Sequence, residues 1–411
     1  MEQPVQHPLQ PVLPPDSLSG EGPGPRARAE ARTGLYVHVP FCTVRCSYCH
    51  FDTTPFAPGL LARWLEAVRL ECALRAPAAS GATFTSVFLG GGTPSAIDAR
   101  HFRELARALR EHFAIAPGAE FTLEANPETV RAPLLEAWRE AGIDRLSIGA
   151  QSFETDELAH LGRVHGRGKP AEAVRAARTA GFERISLDLM FGFPGHSIGS
   201  FERTLESALA LAPEHVSAYA FVVESGNPMS DAVLAGRAHV VPDDGQAELY
   251  ALAVERFAAA GLAPYETSNF CRPDAEARHN LTYWLRRDCM ALGPSAHGLW
   301  RGERWGNLRG TTRWAEALER GFPPEEERER PTRQAVAEEV LMLALRLATG
   351  MHPADYDAAT WNAVERRFAG ALAAAVRAGR LEPVDGGWRV PRAQRFLADD
   401  TVAWIAARGA D

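Results

Sequence analysis

Apolar runs and amphipathic stretches alternate along the chain from residue 34 onward. This alternation is typical of strands followed by helices, and it predicts a parallel sheet in an α/β fold. The predicted strands are 35–39, 85–89, 120–124, 145–148, 184–191 and 215–221. The helices predicted between them are 60–75, 99–113, 133–141, 171–180 and 200–211. Six strand–helix units suit a partial (β/α)6 barrel, in which reactive groups gather at the carboxyl ends of the strands.

The first 33 residues differ from the rest of the chain. Seven prolines fall within the first 25 positions, and apolar content is low, which predicts a disordered tail. A transit peptide is the alternative, but four acidic residues argue against it: Glu2, Asp16, Glu21 and Glu30.

A Pro-rich acidic run at 322–327 marks a second change of pattern. Beyond it, an amphipathic helix over 333–348 and a hairpin around Trp388 predict a small, mainly helical, winged-helix-like domain. It has no basic recognition helix, so we interpret it as a cover for a substrate rather than a DNA reader. The expected domains are a tail (1–33), a barrel (34–300) and a helical C-terminal domain (301–411).

Composition excludes several classes of partner. The net charge of −8 and the lack of a basic stripe with interleaved aromatic residues argue against nucleic-acid binding. No stretch approaches the 18 or so uninterrupted apolar residues of a membrane span. Unpaired cysteines in a chain of this size fit a reducing cytoplasm.

Three of the six cysteines, Cys42, Cys46 and Cys49, lie within eight residues in a C-x3-C-x2-C run that follows the first predicted strand. Three thiolates on one loop can hold three irons of a [4Fe–4S] cluster and leave the fourth iron open to another ligand. A zinc site completed by His38 or His50 is a weaker alternative. A disulfide framework is typical of small secreted domains, not of a chain of 411 residues.

This cysteine spacing, followed by Gly-Gly-Gly-Thr-Pro at 90–94, resembles the radical S-adenosylmethionine (SAM) superfamily. The resemblance implies a (β/α)6 radical-SAM barrel, a [4Fe–4S] cluster, and SAM bound to the open iron. One electron from the cluster then cleaves SAM to a 5′-deoxyadenosyl radical. The SAM-contacting residues that the resemblance implies are Tyr36, Tyr48, Gly91, Gly92, Thr93, Glu124, Gln151, Arg163 and Asp188. Of these, Asp188 stands in an apolar strand, where a carboxylate needs a polar partner such as a ribose hydroxyl.

The order of motifs over roughly residues 34–350 resembles the anaerobic coproporphyrinogen oxidase family and its haem-chaperone branch. The oxidase has a further cysteine two positions after the third cluster cysteine, where this chain has Phe51. The chaperone branch also has Phe there, usually after Asp, whereas this chain has His50. The H-N-x-x-Y-W run that begins at His279 is characteristic of the chaperone branch, which makes His279 the first haem-ligand candidate and His297 the second.

These features predict a cytoplasmic protein that carries one [4Fe–4S] cluster and SAM, binds haem and passes it to an acceptor protein. An electron donor for the cluster is a further expected partner. The alternative is an oxygen-independent coproporphyrinogen III oxidase that removes two propionate carboxyls. A radical-SAM methyltransferase or a haem-degrading enzyme is a third possibility. It is less favoured because the H-N-x-x-Y-W run would have no role in such an enzyme.

Overall fold

A sheet of twelve strands organises the molecule. The computed structural model describes residues 25–409, with side-chain surroundings from residue 28 onward. In chain order the strands are β1 (Thr33–Val39), β2 (Phe84–Gly91), β3 (Ile115–Ala125), β4 (Arg145–Gln151), β5 (Arg184–Phe191), β6 (His215–Ala220), β7 (Ala263–Pro264), β8 (Asn269–Cys271), β9 (Asp288–Leu292), β10 (His297–Trp300), β11 (Glu303–Asn307) and β12 (Glu325–Glu329). Their spatial order is β12-β11-β10-β9-β1-β2-β3-β4-β5-β6-β8-β7.

The six predicted strands are confirmed as β1 to β6, and each pairs in parallel with its neighbour in chain order. A seventh parallel strand, β9, was not predicted; it returns from late in the chain and pairs with the free edge of β1. Strands β10 to β12 continue the sheet antiparallel beyond β9, while β8 and β7 extend it beyond β6. The parallel part is therefore a partial (β/α)6 barrel with an added strand.

Fourteen helices accompany the sheet in the described part of the chain. They are α1 (Pro25–Glu30), α2 (Pro58–Arg75), α3 (Ala99–His112), α4 (Ala132–Glu140), α5 (Thr155–His160), α6 (Lys169–Thr179), α7 (Ile198–Leu209), α8 (Pro228–Leu234), α9 (Asp243–Ala259), α10 (Arg278–Trp284), α11 (Thr311–Glu319), α12 (Arg333–Ala344), α13 (Ala358–Arg377) and α14 (Ala398–Ala406). The five predicted barrel helices are confirmed as α2, α3, α4, α6 and α7.

Local sequence explains why these helices begin where they do. The Asp98 carboxylate accepts the backbone N–H groups of Arg100 and His101 at the start of α3. Ser197 and Ser200 form a reciprocal capping box at the start of α7. Such caps stabilise a helix by about 1 kcal/mol each because they satisfy N–H groups that lack a partner within the helix.

The main hydrophobic core lies between the parallel strands and their helices. Its largest fully buried side chains are aromatic, among them Trp64, Trp138, Phe84, Phe102 and Phe121. Burial of each large apolar side chain contributes about 2–3 kcal/mol. This core holds the strand ends, and hence the loops that follow them, in fixed positions.

A second hydrophobic core, separate from the first, begins at Ala337 and ends at Ile405. It joins α12, α13 and α14 to a hairpin formed by Glu382–Val384 and Gly387–Arg389. The predicted hairpin around Trp388 is present, and the predicted helix 333–348 ends at Ala344. The large sheet continues beyond residue 300 to Glu329, so we propose that the division between the two units lies near residue 330 rather than at 300.

The end of the predicted tail is ordered. Residues 1–24, for which disorder was predicted, lie outside the described residues. Within 25–33, however, the structure contains α1, which packs against α10. Arg28 forms an ion pair with Asp355 in the C-terminal unit, and Glu30 pairs with Arg278 at 2.7 Å. These charged side chains give α1 the partners that its low apolar content does not provide.

Among the described residues, no helix is long and apolar enough to span a membrane.

Candidate functional site

A cavity of about 430 Å³ opens at the carboxyl ends of the parallel strands. This is the end at which sequence predicted the reactive groups. Eleven of the predicted site residues line it: Cys42, Cys46, Tyr48, Cys49, Gly91, Gly92, Thr93, Glu124, Gln151, Arg163 and Asp188. The strand ends therefore bring together residues from six separate segments of the chain.

The cysteine loop leaves β1 and is fastened to the opposite wall of the cavity. Ser47 donates its N–H to the Leu161 carbonyl at 3.2 Å and its hydroxyl to the His160 carbonyl at 2.9 Å. These bonds place the loop, and the three thiols that it carries, against the segment that contains Arg163. The Ser47 carbonyl also accepts the Met229 N–H at 2.9 Å, and the first cysteine of the loop lies against the turn after β2.

The three thiols are free and half-buried, and all three face the cavity. The Cys42 Sγ lies 3.4 Å from the Thr93 hydroxyl, and an Arg163 N–H group points at the Cys46 Sγ at 3.5 Å. Burial raises the pKa of the Cys42 and Cys49 thiols. Ligation to the iron ions of a cluster would reverse this effect, because a bound cation stabilises the thiolate.

The donor set fits a multi-iron cluster. Within the described residues, no three His, Cys, Asp or Glu side chains converge tightly enough to hold a single metal ion. In a [4Fe–4S] cluster each cysteine ligates a different iron, so the sulfurs surround the group without meeting at one point. Three thiols on one loop, facing a cavity with a cationic Arg163 beside them, meet this requirement for a negatively charged thiolate cluster.

The glycine turn after β2 lies directly against the cysteine loop. A Cβ atom on Gly92 would lie 2.7 Å from the Phe41 carbonyl oxygen, and Gly91 has a φ of +109°. A Cβ on Gly91 would lie 2.4 Å from the His38 ring. Only glycine permits this close approach, which leaves backbone groups of the turn exposed to the cavity.

Two carboxyl groups face each other across the inside of the barrel. Glu124 accepts the Gly91 N–H at 3.0 Å; burial, and secondly the negative charge of Asp188, raise the pKa of Glu124 to about 7. Asp188 accepts the Ser147 hydroxyl at 2.9 Å, and burial raises its pKa as well. The polar partner that sequence required for Asp188 is thus supplied in part by a serine on the neighbouring strand.

Arg163 links the cysteine loop to the strand ends. Its guanidinium donates to the Asn126 side-chain carbonyl at 2.9 Å and to the Gly149 carbonyl at 2.8 Å. Its buried Nε has no partner among the described residues. Nearby, Gln151 has a φ of 64° at an irregularity of the β4–β5 pairing, a strained conformation that turns its side chain toward the cavity.

Tyr36 does not line the cavity, in contrast to Tyr48. Its hydroxyl lies 3.1 Å from the His38 Nδ1, and its ring packs near Phe88 and His279. Because Phe88 itself lines the cavity, Tyr36 lies beside the cavity wall, and its direct contact with SAM stays a prediction. Tyr36 also contacts His38, whose ring packs against the glycine turn.

Several lining residues were missed by sequence reasoning. Arg145 is buried, and its positive charge lowers the pKa of both Glu124 and Asp188, opposing the effect of burial. Ser147, Ser217 and Tyr219 also face the cavity. These side chains occupy alternate positions on β4 and β6, so the two-residue period of a strand would have identified them once 188 was assigned to the inside.

His279 lies outside the cavity and is fully buried. Its Nδ1 lies 3.0 Å from the Ser86 hydroxyl and its Nε2 lies 2.9 Å from the Tyr283 hydroxyl. Burial lowers the pKa of His279 to about 4. Both ring nitrogens are thus engaged, and no coordination position is open to a haem iron. We therefore interpret His279 as a packing residue rather than a haem ligand.

The two residues that follow the third cysteine lie at the rim. His50 Nε2 is 2.6 Å from the Asn227 side-chain nitrogen, and its Nδ1 is 3.8 Å from a Glu224 carboxylate oxygen. Phe51 is 57% exposed beside the cavity mouth. The position that carries an additional cysteine in the oxidase resemblance is therefore an apolar surface residue here.

The barrel, the three-thiol loop and the glycine turn at the strand ends together define a radical SAM protein. The radical SAM superfamily model matches residues 36–208, and the HemN C-terminal domain model matches residues 332–397. Membership of the superfamily implies a [4Fe–4S] cluster and SAM as cofactors.

Comparison with individual proteins identifies the family within the radical SAM superfamily. The chain is 40% identical to the haem chaperone HemW of Mycobacterium tuberculosis over 342 residues, 82% of this chain and 88% of the relative. It is 34% identical to HemW of Bacillus subtilis, covering 77% of this chain and 84% of that one. The chain belongs to the HemW family.

Among solved structures, the fold matches coproporphyrinogen III oxidase HemN of Escherichia coli, described as a radical SAM enzyme. The TM-score is 0.79, with 93% of this chain and 92% of that chain covered. At 20% identity, this similarity establishes the fold alone.

Proposed function

We propose that this protein is a haem chaperone, which binds haem and transfers it to an acceptor protein. The observation that carries the proposal is the 40% identity to a haem chaperone HemW across 82% of the chain. Phe51 supports it, because the oxidase resemblance calls for a cysteine at that position. That a separate acceptor protein receives the haem is also part of the proposal.

We assign the cofactors to the cavity at the strand ends. Cys42, Cys46 and Cys49 would hold the [4Fe–4S] cluster, and the glycine turn, Glu124 and Asp188 would hold SAM. When bound, this pair supplies one-electron cleavage of SAM to a carbon radical. The Arg163 guanidinium, whose Nη1 lies 3.5 Å from the Cys46 Sγ, would orient a carboxylate next to the cluster.

The polar groups of the barrel suit the two ends of SAM. The Asp188 carboxylate, held by Ser147, can accept hydrogen bonds from ribose hydroxyls. Glu124, once ionised, can accept from an ammonium group, while the exposed backbone of the glycine turn lies alongside. These residues hold and orient the cofactor in either function, so they do not by themselves distinguish a chaperone from an oxidase.

The remaining partners follow from the proposed cofactors. A cluster that is reduced in use needs an electron donor, and the half-buried loop that carries Cys42, Cys46 and Cys49 is the place where such a donor would approach. We also propose that the C-terminal unit beyond residue 330 acts as a cover, and that the protein works in the cytoplasm, where a reduced cluster persists.

A haem titration of the anoxically reconstituted protein tests the proposed function. We expect the Soret band to saturate near one haem per chain, and haem to move to an apoprotein acceptor when the two are mixed. Absence of specific haem binding, together with anoxic conversion of coproporphyrinogen III to protoporphyrinogen IX, would replace the chaperone with the oxidase alternative.

A further inference from the structure

A second cleft, of about 300 Å³, lies between the outer strands β10 to β12 and the helix α12. It reaches the start of β9 and the end of α10, so it lies away from the cysteine loop. Among the side chains that line this cleft are Tyr283, Arg286, Cys289, His297 and Met342. No residue of this cleft has a role in the SAM cavity described above.

The cleft gathers the side-chain types that ligate haem iron in proteins: imidazole, thioether, thiol and phenol. His297 and Met342 stand at its surface, with 72% of the His297 side chain and 43% of Met342 exposed. Cys289 and Tyr283 lie deeper, and Leu299, Leu343 and Trp305 supply apolar walls. An open apolar cleft with exposed soft and nitrogen donors is the setting that a planar metalloporphyrin requires.

We propose that haem binds in this cleft, with the His297 Nε2 as an axial ligand of the iron. The proposal rests on the haem-chaperone function and gives it a site. It replaces His279, the residue favoured by sequence, with the histidine that the fold leaves accessible.

His297 is the donor best placed for this role. Its Nδ1 lies 3.9 Å from a Glu327 carboxylate oxygen, and no hydrogen bond to the described residues occupies its Nε2. With no hydrogen bond to occupy Nε2, the neutral imidazole can present that nitrogen to a metal. The other deep donors are less suited: the Tyr283 hydroxyl is engaged by His279, and burial raises the pKa of Cys289 to about 12, which keeps it a neutral thiol.

Arginines in the cleft walls provide partners for the propionates. Arg286 pairs with Glu339 at 2.6 Å through its Nε, while its buried Nη2 has no partner among the described residues. Arg304 pairs with Glu329 and Glu339, and Arg287 donates to the Asp355 carbonyl at 2.5 Å. The carboxylates of Glu327, Glu329 and Glu339 also line the cleft, so the donors left for a propionate are those of Arg286 and Arg287 that these contacts do not use.

The cleft also explains the position of the H-N-x-x-Y-W run. Tyr283 forms part of the cleft wall, and its ring lies 5.0 Å from the His279 ring, which in turn lies 5.1 Å from the ring of Phe88. Phe88 lines the SAM cavity. Three rings in contact, with His279 in the middle, therefore lie between the two sites: His279 stacks on Phe88 and meets Tyr283 edge to face.

A haem titration with matched variants tests the site. We expect His297→Ala to weaken haem binding about tenfold or more and to shift the Soret band of the remaining complex, because an iron ligand is lost. His239→Ala, which removes an exposed histidine remote from the cleft, should bind as the unaltered protein does. Leu299→Trp keeps the imidazole but fills the cleft, and it should also weaken binding.

The outcomes separate this site from the proposed function. Haem binding by the unaltered protein that His297→Ala and Leu299→Trp leave unchanged would overturn the site and retain the chaperone. No haem binding at all would overturn both. Saturating SAM gives an independent check: we expect haem to remain bound, whereas displacement of haem by SAM would place haem in the first cavity and overturn the proposal.

Discussion

At the scale of single residues, the candidate SAM site concentrates charge inside the barrel. Burial disfavours the ionisation of Glu124 and of Asp188, the charge of Asp188 adds to the effect on Glu124, and the positive charge of Arg145 partly compensates both. Such an arrangement does not favour folding, because buried carboxylates lose hydration. The buried carboxyl groups are explained by a ligand whose polar groups would hydrogen-bond to them. Shifted pKa values in a cleft often mark such a functional site.

The thiol assignment predicts a selective loss of the cluster. Serine at position 42, 46 or 49 removes a thiolate ligand, so each variant should lose the broad iron–sulfur absorbance near roughly 400 nm after reconstitution. Cys72→Ser is the matched control, since Cys72 is buried in α2 within the main core. Equal loss of absorbance in the control would show that the ligand assignment is wrong.

The raised pKa of Glu124 predicts that the stability of the folded protein depends on pH. Its pKa is about 7 in the folded protein and near the ordinary glutamate value in the unfolded chain, so the folded state binds the proton more tightly. The resulting preference for folding is present at low pH and is lost as the pH rises through about 7. Glu124→Gln removes this titration, so its melting temperature should rise relative to the unaltered protein between about pH 5 and pH 8, by the equivalent of about 1–3 kcal/mol.

The control for this prediction is Glu255→Gln, on an exposed position of α9. Its melting temperature should follow that of the unaltered protein at every pH. The prediction for Glu124 fails if the difference between variant and unaltered protein does not change with pH. SAM binding should weaken in Glu124→Gln even where stability increases, a trade-off expected where a site has been built at the expense of stability.

At the scale of elements, the turn after β2 acts as the support of the cysteine loop. Backbone bonds run from Gly92 N–H to the Val39 carbonyl at 2.8 Å and from Thr93 N–H to the Phe41 carbonyl at 2.7 Å. The strand ends of β1 and β2 are therefore locked together just where the thiols begin. This explains why a run of glycines, weak as a motif by itself, is informative beside the C-x3-C-x2-C loop.

Gly92→Ala should damage this support. The added Cβ would meet backbone atoms of Pro40 and Phe41, which cannot move away without shifting the loop, and we expect a loss of about 1–3 kcal/mol in the free energy of unfolding. SAM affinity should fall with it. Denaturant unfolding and SAM titration measure the two effects.

Gly59→Ala is the control for the turn, because a Cβ there would have no heavy atom within 4 Å. The helix α2 should be unchanged or slightly stabilised by it, by at most about 1 kcal/mol. If the two alanine variants behave alike, close packing of the turn against the cysteine loop is not the reason for the glycine.

At the scale of the whole molecule, the first helix of the described residues contacts the C-terminal unit. Helix α1 precedes the barrel, yet Arg28 reaches the C-terminal unit, where it pairs with Asp355 and contacts Thr349. Both charged side chains are mostly buried, at 13% and 10% exposed. The C-terminal core is thus anchored to the barrel partly through a segment from the other end of the chain.

Arg28→Ala should loosen this connection. The substitution leaves the Asp355 carboxylate buried without its partner. Breaking a buried ion pair in this way costs about 3–5 kcal/mol, which lowers the free energy needed to open the C-terminal unit locally. We expect faster hydrogen exchange or proteolysis in α12 to α14, with little change in β1 to β6. Arg69→Ala, which removes an exposed pair with Glu66, should change neither. Equal protection of the C-terminal unit in Arg28→Ala would contradict this role for α1.

Sequence determined the parts of this protein that depend on local pattern. The six parallel strands, their helices and the cavity-lining positions of all three cysteines were predictable, because a periodic apolar face and a thiol spacing are both read within a few residues. It also determined family membership through motif order. His279 shows the limit, since it stands in an informative motif but is fully buried outside the SAM cavity.

Tertiary structure decided what depends on distant pairing. Strand β9 joins β1 across some 250 residues of intervening chain in the sequence, a pairing that no local pattern encodes. The same return of the chain buries His279 between Ser86 and Tyr283 and leaves His297 exposed in a separate cleft. Whether a histidine packs or remains accessible is set by the elements that fold over it, and these come from elsewhere in the sequence.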